Sequence, residues 1–246
     1  LPNVINMSGN TIGGHTFLAS STAGTSLRGM WLQGTANYNI TNNIIGGTLA
    51  NSMNLNGNNS VIGMLVGGTN VAITGNTISN LSFTGTAATG AVVSGILGGP
   101  TATYTVSNNT ISRLSNASAN TGTGASAAIN GISVAGTTTG GTLVSQNTIS
   151  ELNCTAATAS MSMNGISVTS TSTTGTNIVE RNLIHSFSNI STGAAVVFNG
   201  LLASSTTSFT YRNNMIRLGI DASAASVASD CQINGINELA GTNNFY

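Results

Sequence analysis

Residues 75–81 read GNTISNL, residues 108–114 read NNTISRL and residues 146–152 read QNTISEL. Working outward, looser forms of the phrase follow on both sides: GNTIGG from residue 9, NNIIGG from 42, RNLIHSF from 181 and NNMIRLG from 213. The second residue is Asn each time, at Asn10, Asn43, Asn76, Asn109, Asn147, Asn182 and Asn214, and Asn244 starts an eighth copy. The steps are 33, 33, 33, 38, 35, 32 and 30 residues. A second phrase (RGMWL, IGMLV, SGILG, NGISV, NGISV, NGLLA, NGINE) interleaves with the first, with Gly at 29, 63, 95, 131, 165, 200 and 235. Two independent markers sharing one period near 34 residues identify a repeat architecture.

Within each unit the apolar residues alternate, and β-branched Val, Ile and Thr dominate, which favours strands. In the clearest unit the spacing predicts three strands, at 131–134 (GISV), 142–145 (TLVS) and 148–152 (TISEL). Gly and β-branched residues fill every window that a helix would need. Three strands, one Asn-bearing corner and about 34 residues make one coil of a parallel β-solenoid, each strand pairing with its equivalent in the next coil. The chain is therefore expected to be a single all-β parallel β-helix domain over 1–246, with about seven coils. Ile78, Ile111, Ile149, Ile184 and Ile216 should stack as an inward apolar column. The eight corner Asn should stack as a hydrogen-bonded ladder, since Asn tolerates a left-handed backbone and its amide both donates and accepts.

Composition narrows the function. Among 246 residues there are five Arg, no Lys and five acids, so the net charge is zero. Nucleic-acid binding is excluded, because it needs clustered cations. A 40% hydrophobic content separates the chain from disordered sequences. No apolar run is long enough for a membrane-spanning helix. With no initiator Met and no charged leader, the chain reads as a mature or excised piece. It enters the repeat at VINMSGN and leaves it at LAGTNNF in nearly one phase and without a capping unit, so it is expected to be uncapped at both ends.

The phrases N-T-I-S-x-L and N-G-I-S-V, joined by Ser/Thr/Gly/Ala filler, resemble the right-handed parallel β-helix repeats of large secreted bacterial surface proteins of the Bacteroidetes type. More distantly they resemble the pectate-lyase-like β-helix superfamily, whose coils carry an asparagine ladder. The resemblance covers all the coils and implies a right-handed helix and an extracellular or cell-surface location. It does not choose a function, because that scaffold hosts lyases, hydrolases, tailspikes and adhesins.

The few charged residues can be placed by phase. Arg113 and Glu151 each lie four after a corner Asn, and Glu180 and Arg212 each lie two before one, in adjacent coils. Both pairs are expected to be cross-coil ion pairs on the surface. Asp221, Asp230 and Glu238 are too few for a Ca²⁺ site. His15 and His185 fall on equivalent strands five coils apart, so they cannot share a ligand. Cys154 and Cys231, two coils apart in long loops, are expected to be separate thiols rather than a disulfide. Sequons such as Asn80-Leu81-Ser82 and Asn116-Ala117-Ser118 arise by chance in so Asn/Ser/Thr-rich a chain. Thr77/Ser79, Thr110/Ser112 and Thr148/Ser150 form an outward hydroxyl array of the kind that could bind ice. The expectation is a non-enzymatic structural solenoid without metal or cofactor: part of an adhesin, a stalk or a head-to-tail filament. The partners are then further repeats or second copies, and glycan binding or cleavage is the alternative.

Overall fold

A computed structural model describes residues 3–17, 26–86, 88–136, 140–157, 159–171, 174–191, 195–227 and 230–246. The chain winds as an all-β parallel solenoid of about six turns of roughly 34 residues, one fewer than the count of corner phrases suggests. Seven corner Asn bound six intervals, from Asn10 to Asn214; Val4–Ser8 precedes the first of them, and beyond Asn214 the chain adds one further strand to each sheet, the last only Asn244–Phe245.

Each coil contributes one strand to each of three parallel sheets. The unit read from the sequence provides Ile129–Gly136 to the third sheet, Thr142–Ser145 to the first and Thr148–Cys154 to the second. Register is kept residue by residue: Ile78 lies beside Ile111, Ile111 beside Ile149, Ile149 beside Ile184 and Ile184 beside Ile216. Parallel pairing brings like side chains about 4.8 Å apart. The resulting column of Ile78, Ile111, Ile149 and Ile184 is completely buried, whereas Ile216, at the open end, is only partly covered.

The two repeated phrases meet across the core. A Cβ built on Gly63 would lie 2.7 Å from Ile78 Cγ2, one on Gly95 2.7 Å from Ile111 Cγ2, and one on Gly131 2.6 Å from Ile149 Cγ2. The same positions are 2.6, 2.6 and 2.5 Å from the carbonyl oxygen of the next coil's glycine. No side chain fits there. Glycine recurs in one phrase because isoleucine recurs in the other.

The second sheet is bent. Ile78 and Leu81 both face the core although three residues apart, because Asn80 takes a left-handed backbone (φ 58°). Arg113 (φ 55°), Glu151 (φ 55°) and Ser186 (φ 62°) repeat the bend in the following coils. Strict alternation through TISEL is therefore corrected to a strand with one left-handed residue, and residues 80 and 113 drop out of the ladder of paired positions.

Candidate functional site

Left-handed residues also form the corner at which the Asn stack. They stand immediately before the Asn rather than at it: Gly9, Asn42, Gly75, Asn108, Gln146, Arg181 and Asn213 all have φ between 54° and 69°. The turn they make aims the next side chain inward, and Asn43, Asn76, Asn109, Asn147 and Asn182 are at most 1% exposed. The backbone N–H and Nδ2 of Asn76 both donate to Asn109 Oδ1, at 3.0 and 2.9 Å. The same paired bonds join Asn109 to Asn147 (3.0 and 3.0 Å) and Asn147 to Asn182 (3.0 and 2.9 Å). Asn10, Asn43 and Asn182 donate likewise to Asn43, Asn76 and Asn214. The other Nδ2 hydrogen reaches back to a carbonyl of the preceding coil, Ile40 O for Asn76 and Ile73 O for Asn109. Each amide thus clamps three coils.

Asn244 does not belong to this ladder. It pairs with Thr210 in the first sheet, four residues short of the Asn214 position, and the neighbouring pair Tyr211–Phe245 stacks its rings at 5.0 Å. Aromatic packing sets that register and leaves the Asn-Asn-Phe echo out of phase.

A second ladder lies in the other phrase. Asn164 Nδ2 donates to Asn130 Oδ1, Asn199 to Asn164 and Asn234 to Asn199, at 2.8–2.9 Å. This stack donates toward the N-terminal coils, whereas the corner stack donates toward the C-terminal ones. It is roofed by the segment around a short 3₁₀ turn at Gly124–Ser126: Ala125 O and Ala127 O accept from Asn130, and Gly124 O from Asn164. Sequence reasoning noticed the glycine of N-G-I-S-V and passed over the Asn before it, which recurs with the same period.

The charged side chains gather where phase counting puts them. Arg113 Nε lies 3.4 Å from Glu151 Oε2, both on the outer bend of the second sheet. Arg212 Nε bonds Glu180 Oε2 at 2.6 Å on the first sheet, with Arg181 Nη1 4.0 Å from the other carboxylate oxygen. Beside the first pair, Asn51, Asn80, Ser115 and Asn153 complete a shallow polar groove that crosses neighbouring coils.

The remaining candidates are separated or occupied. His15 stands in the Met53–Leu81 column and His185 in the Ser150 column, so they are not on equivalent positions, and His185 Nδ1 is 2.8 Å from Ser186 Oγ. Asp221 Oδ1 accepts from Ser223 N, Ser223 Oγ and Ala225 N, and these bonds hold its carboxyl below the usual range. Glu238 Oε1 accepts from Asn243 Nδ2. Among the described residues no three His, Cys, Asp or Glu side chains converge on one point. Cys154 and Cys231 are free, and they end and begin strands rather than sitting in loops. Burial pushes both thiols up, more completely buried at Cys154. The outward hydroxyl array is only half present: Thr77 and Thr110 are exposed, but the bend sinks Ser79 and Ser150, and the Ser79 hydroxyl donates to Gly47 O. Among the described residues no helix is long and apolar enough to cross a membrane.

Comparison with protein-family models, with curated proteins and with solved structures finds no match.

Proposed function

We propose that this chain is a structural β-solenoid of a secreted bacterial surface protein, acting as part of an adhesin, a stalk or a head-to-tail filament. The observation that carries this reading is that one coil-to-coil contact, made of an apolar column and the corner amide ladder and joined from Asn130 onward by the second ladder, is repeated in register from coil to coil, so it can be propagated. The two outermost coils support it. Val4, Ile5 and Phe17 are exposed on the strands of one, and Ile233, Ile236 and Phe245 on those of the other, next to edge strands whose backbone groups another coil can pair. A second copy docking there makes a heterologous contact that does not close. The joint has a cost: the first sheet already carries the extra strand Asn244–Phe245, onto which Val4–Ser8 of the next copy would stack while the other two sheets lack that layer. Electron microscopy of the purified chain at micromolar concentration tests the filament form. Fibres with an axial repeat of about 34–38 Å, seven to eight strand spacings, support it, and a stable monodisperse monomer leaves only the stalk or adhesin form.

The groove around Arg113, Glu151, Asn51, Asn80, Ser115 and Asn153 favours glycan binding as the second reading, because planar amides and a guanidinium–carboxylate pair offer donors and acceptors to sugar hydroxyls. A glycan array on the native chain and an Asn80→Ala/Arg113→Ala variant tests it. Retained array signal in that variant refutes this groove as the site.

A further inference from the structure

We propose that Asn234 is a site of spontaneous deamidation in any molecule with no further coil stacked on the strand Cys231–Glu238, while Asn130, Asn164 and Asn199 of the same ladder are protected by the coils stacked on them. The chemistry needs only the chain and water. The main-chain nitrogen of Gly235 attacks Cγ of Asn234 and loses its proton to solvent, the bond to the side-chain nitrogen breaks, and ammonia leaves. The cyclic imide that results then takes up water at either carbonyl, giving Asp or isoaspartate. Glycine in the following position makes this attack easy, because without a Cβ its nitrogen is unshielded and its backbone turns freely.

The core forces glycine on this phrase in the stacked coils, and from residue 130 onward the residue before it is Asn. Gly131, Gly165 and Gly200 cannot carry a side chain, since an added Cβ would meet Ile149, Ile184 and Ile216 at 2.6–2.7 Å. Each follows a ladder Asn, so the packing that requires glycine creates an Asn-Gly pair in each of these coils. Within the stack the pairs are held. Asn130 and Asn164 are fully buried and Asn199 is 4% exposed. Asn164 donates to Asn130 Oδ1 and Gly124 O and accepts from Asn199, so its amide cannot swing toward the Gly165 nitrogen without local opening. Asn234 differs on each count. It is half-buried, the following Gly235 is exposed, and the space where a Gly235 Cβ would sit holds no atom within 4 Å. Its side chain keeps one ladder bond, to Asn199 Oδ1 at 2.8 Å, and one local bond, from Gln232 Nε2 at 3.2 Å. Conversion replaces that neutral amide with a carboxylate on the strand that ends in Glu238 and directly follows Asp230, in a chain whose formal charge is otherwise zero.

The test is incubation of the chain as an isolated monomer at mildly alkaline pH, followed by peptide mass spectrometry and isoaspartate detection at the four Asn-Gly pairs of this ladder, the fifth pair, Asn56-Gly57, lying outside it. Asn234 should convert at least about tenfold faster than Asn164 and Asn199, the gap reflecting the local opening the buried pairs require. In denaturant the four should convert at similar rates. Gly235→Ala, a position with room for the added methyl, should suppress conversion at Asn234 and leave the circular dichroism spectrum unchanged. Equal rates at all four pairs in the native chain would overturn the proposal, as would an Asn234 that persists in the native chain while converting in denaturant.

Discussion

Replacing Asn109 with Ala removes the centre of the corner ladder and leaves named groups without partners. Asn76 loses both of its bonds to Asn109 Oδ1, at 3.0 and 2.9 Å. Its Nδ2 keeps Ile40 O, but its backbone N–H is stranded in a site 1% exposed. Ile73 O loses the Nδ2 donor that reached it at 2.9 Å. Asn147 Oδ1 keeps the Asn109 backbone N–H, so the damage falls on one side. One buried orphan N–H costs about 1–3 kcal/mol, and the weakened carbonyl adds about 1, so the total should be about 2–4 kcal/mol. Asn10→Ala strands no upstream donor, and Asn43 Oδ1 retains the Asn10 backbone N–H; its loss should stay below about 1 kcal/mol. Asn109→Asp keeps the acceptor for Asn76 but turns a carboxylate oxygen toward Ile73 O and Asn147 Oδ1, so it should be worse than Ala. Urea unfolding followed by circular dichroism ranks the variants. Native-state hydrogen exchange locates the defect, because protection should fall first at the Asn76 amide. Equal, small losses for Asn10→Ala and Asn109→Ala, with the Asn76 amide still protected, would refute the claim that the ladder is a chain of dependent bonds.

Gly131→Ala should destabilise by about 1–3 kcal/mol or more, since its methyl meets a backbone carbonyl at 2.5 Å, while Gly235→Ala should range from neutral to about 1 kcal/mol stabilising; denaturation midpoints decide. Reversing either Arg113 or Glu151 alone should destabilise, and reversing both should restore the pair, with a coupling of about 0.2–1 kcal/mol in a double-mutant cycle. Burial raises the Tyr104 and Tyr211 phenols well above their ordinary value of 10.0. Because the unfolded chain releases those protons first, their contribution to stability is whole below about pH 10 and is lost as pH rises beyond it. Alkaline titration at the tyrosinate absorption band should show these two ionising together with unfolding rather than before it.

The period, the three strands per coil, the isoleucine column and seven of the corner Asn could be read from the sequence because one coil repeats almost the same residues at each. What could not be read depended on backbone conformation or on partners from other coils. The left-handed corner residue varies among Gly, Asn, Gln and Arg, so it leaves no single letter. The bend at Asn80, Arg113, Glu151 and Ser186 likewise has no common residue, and it buries Ser79 against an alternation that would have exposed it. The second ladder is masked because its column begins with Arg28, Ile62 and Ser94 and becomes Asn only at 130. Asn244 repeats the letters but not the position, because the pairing of Phe245 with Tyr211 decides where that strand lies.

The opposite directions of the two amide stacks bear on what kind of object the rod is. A carboxamide is a dipole, and a file of them bonded head to tail adds up along the axis as the peptide groups of a helix do. The corner file, from Asn10 to Asn214, points one way, and the file from Asn130 to Asn234 points the other. Over the coils they share, the fields oppose, as between two bar magnets laid side by side in opposite senses. Each coil added beyond Asn214 and Asn234 in the same pattern therefore brings two opposed dipoles rather than one, and it must accept in one file and donate in the other.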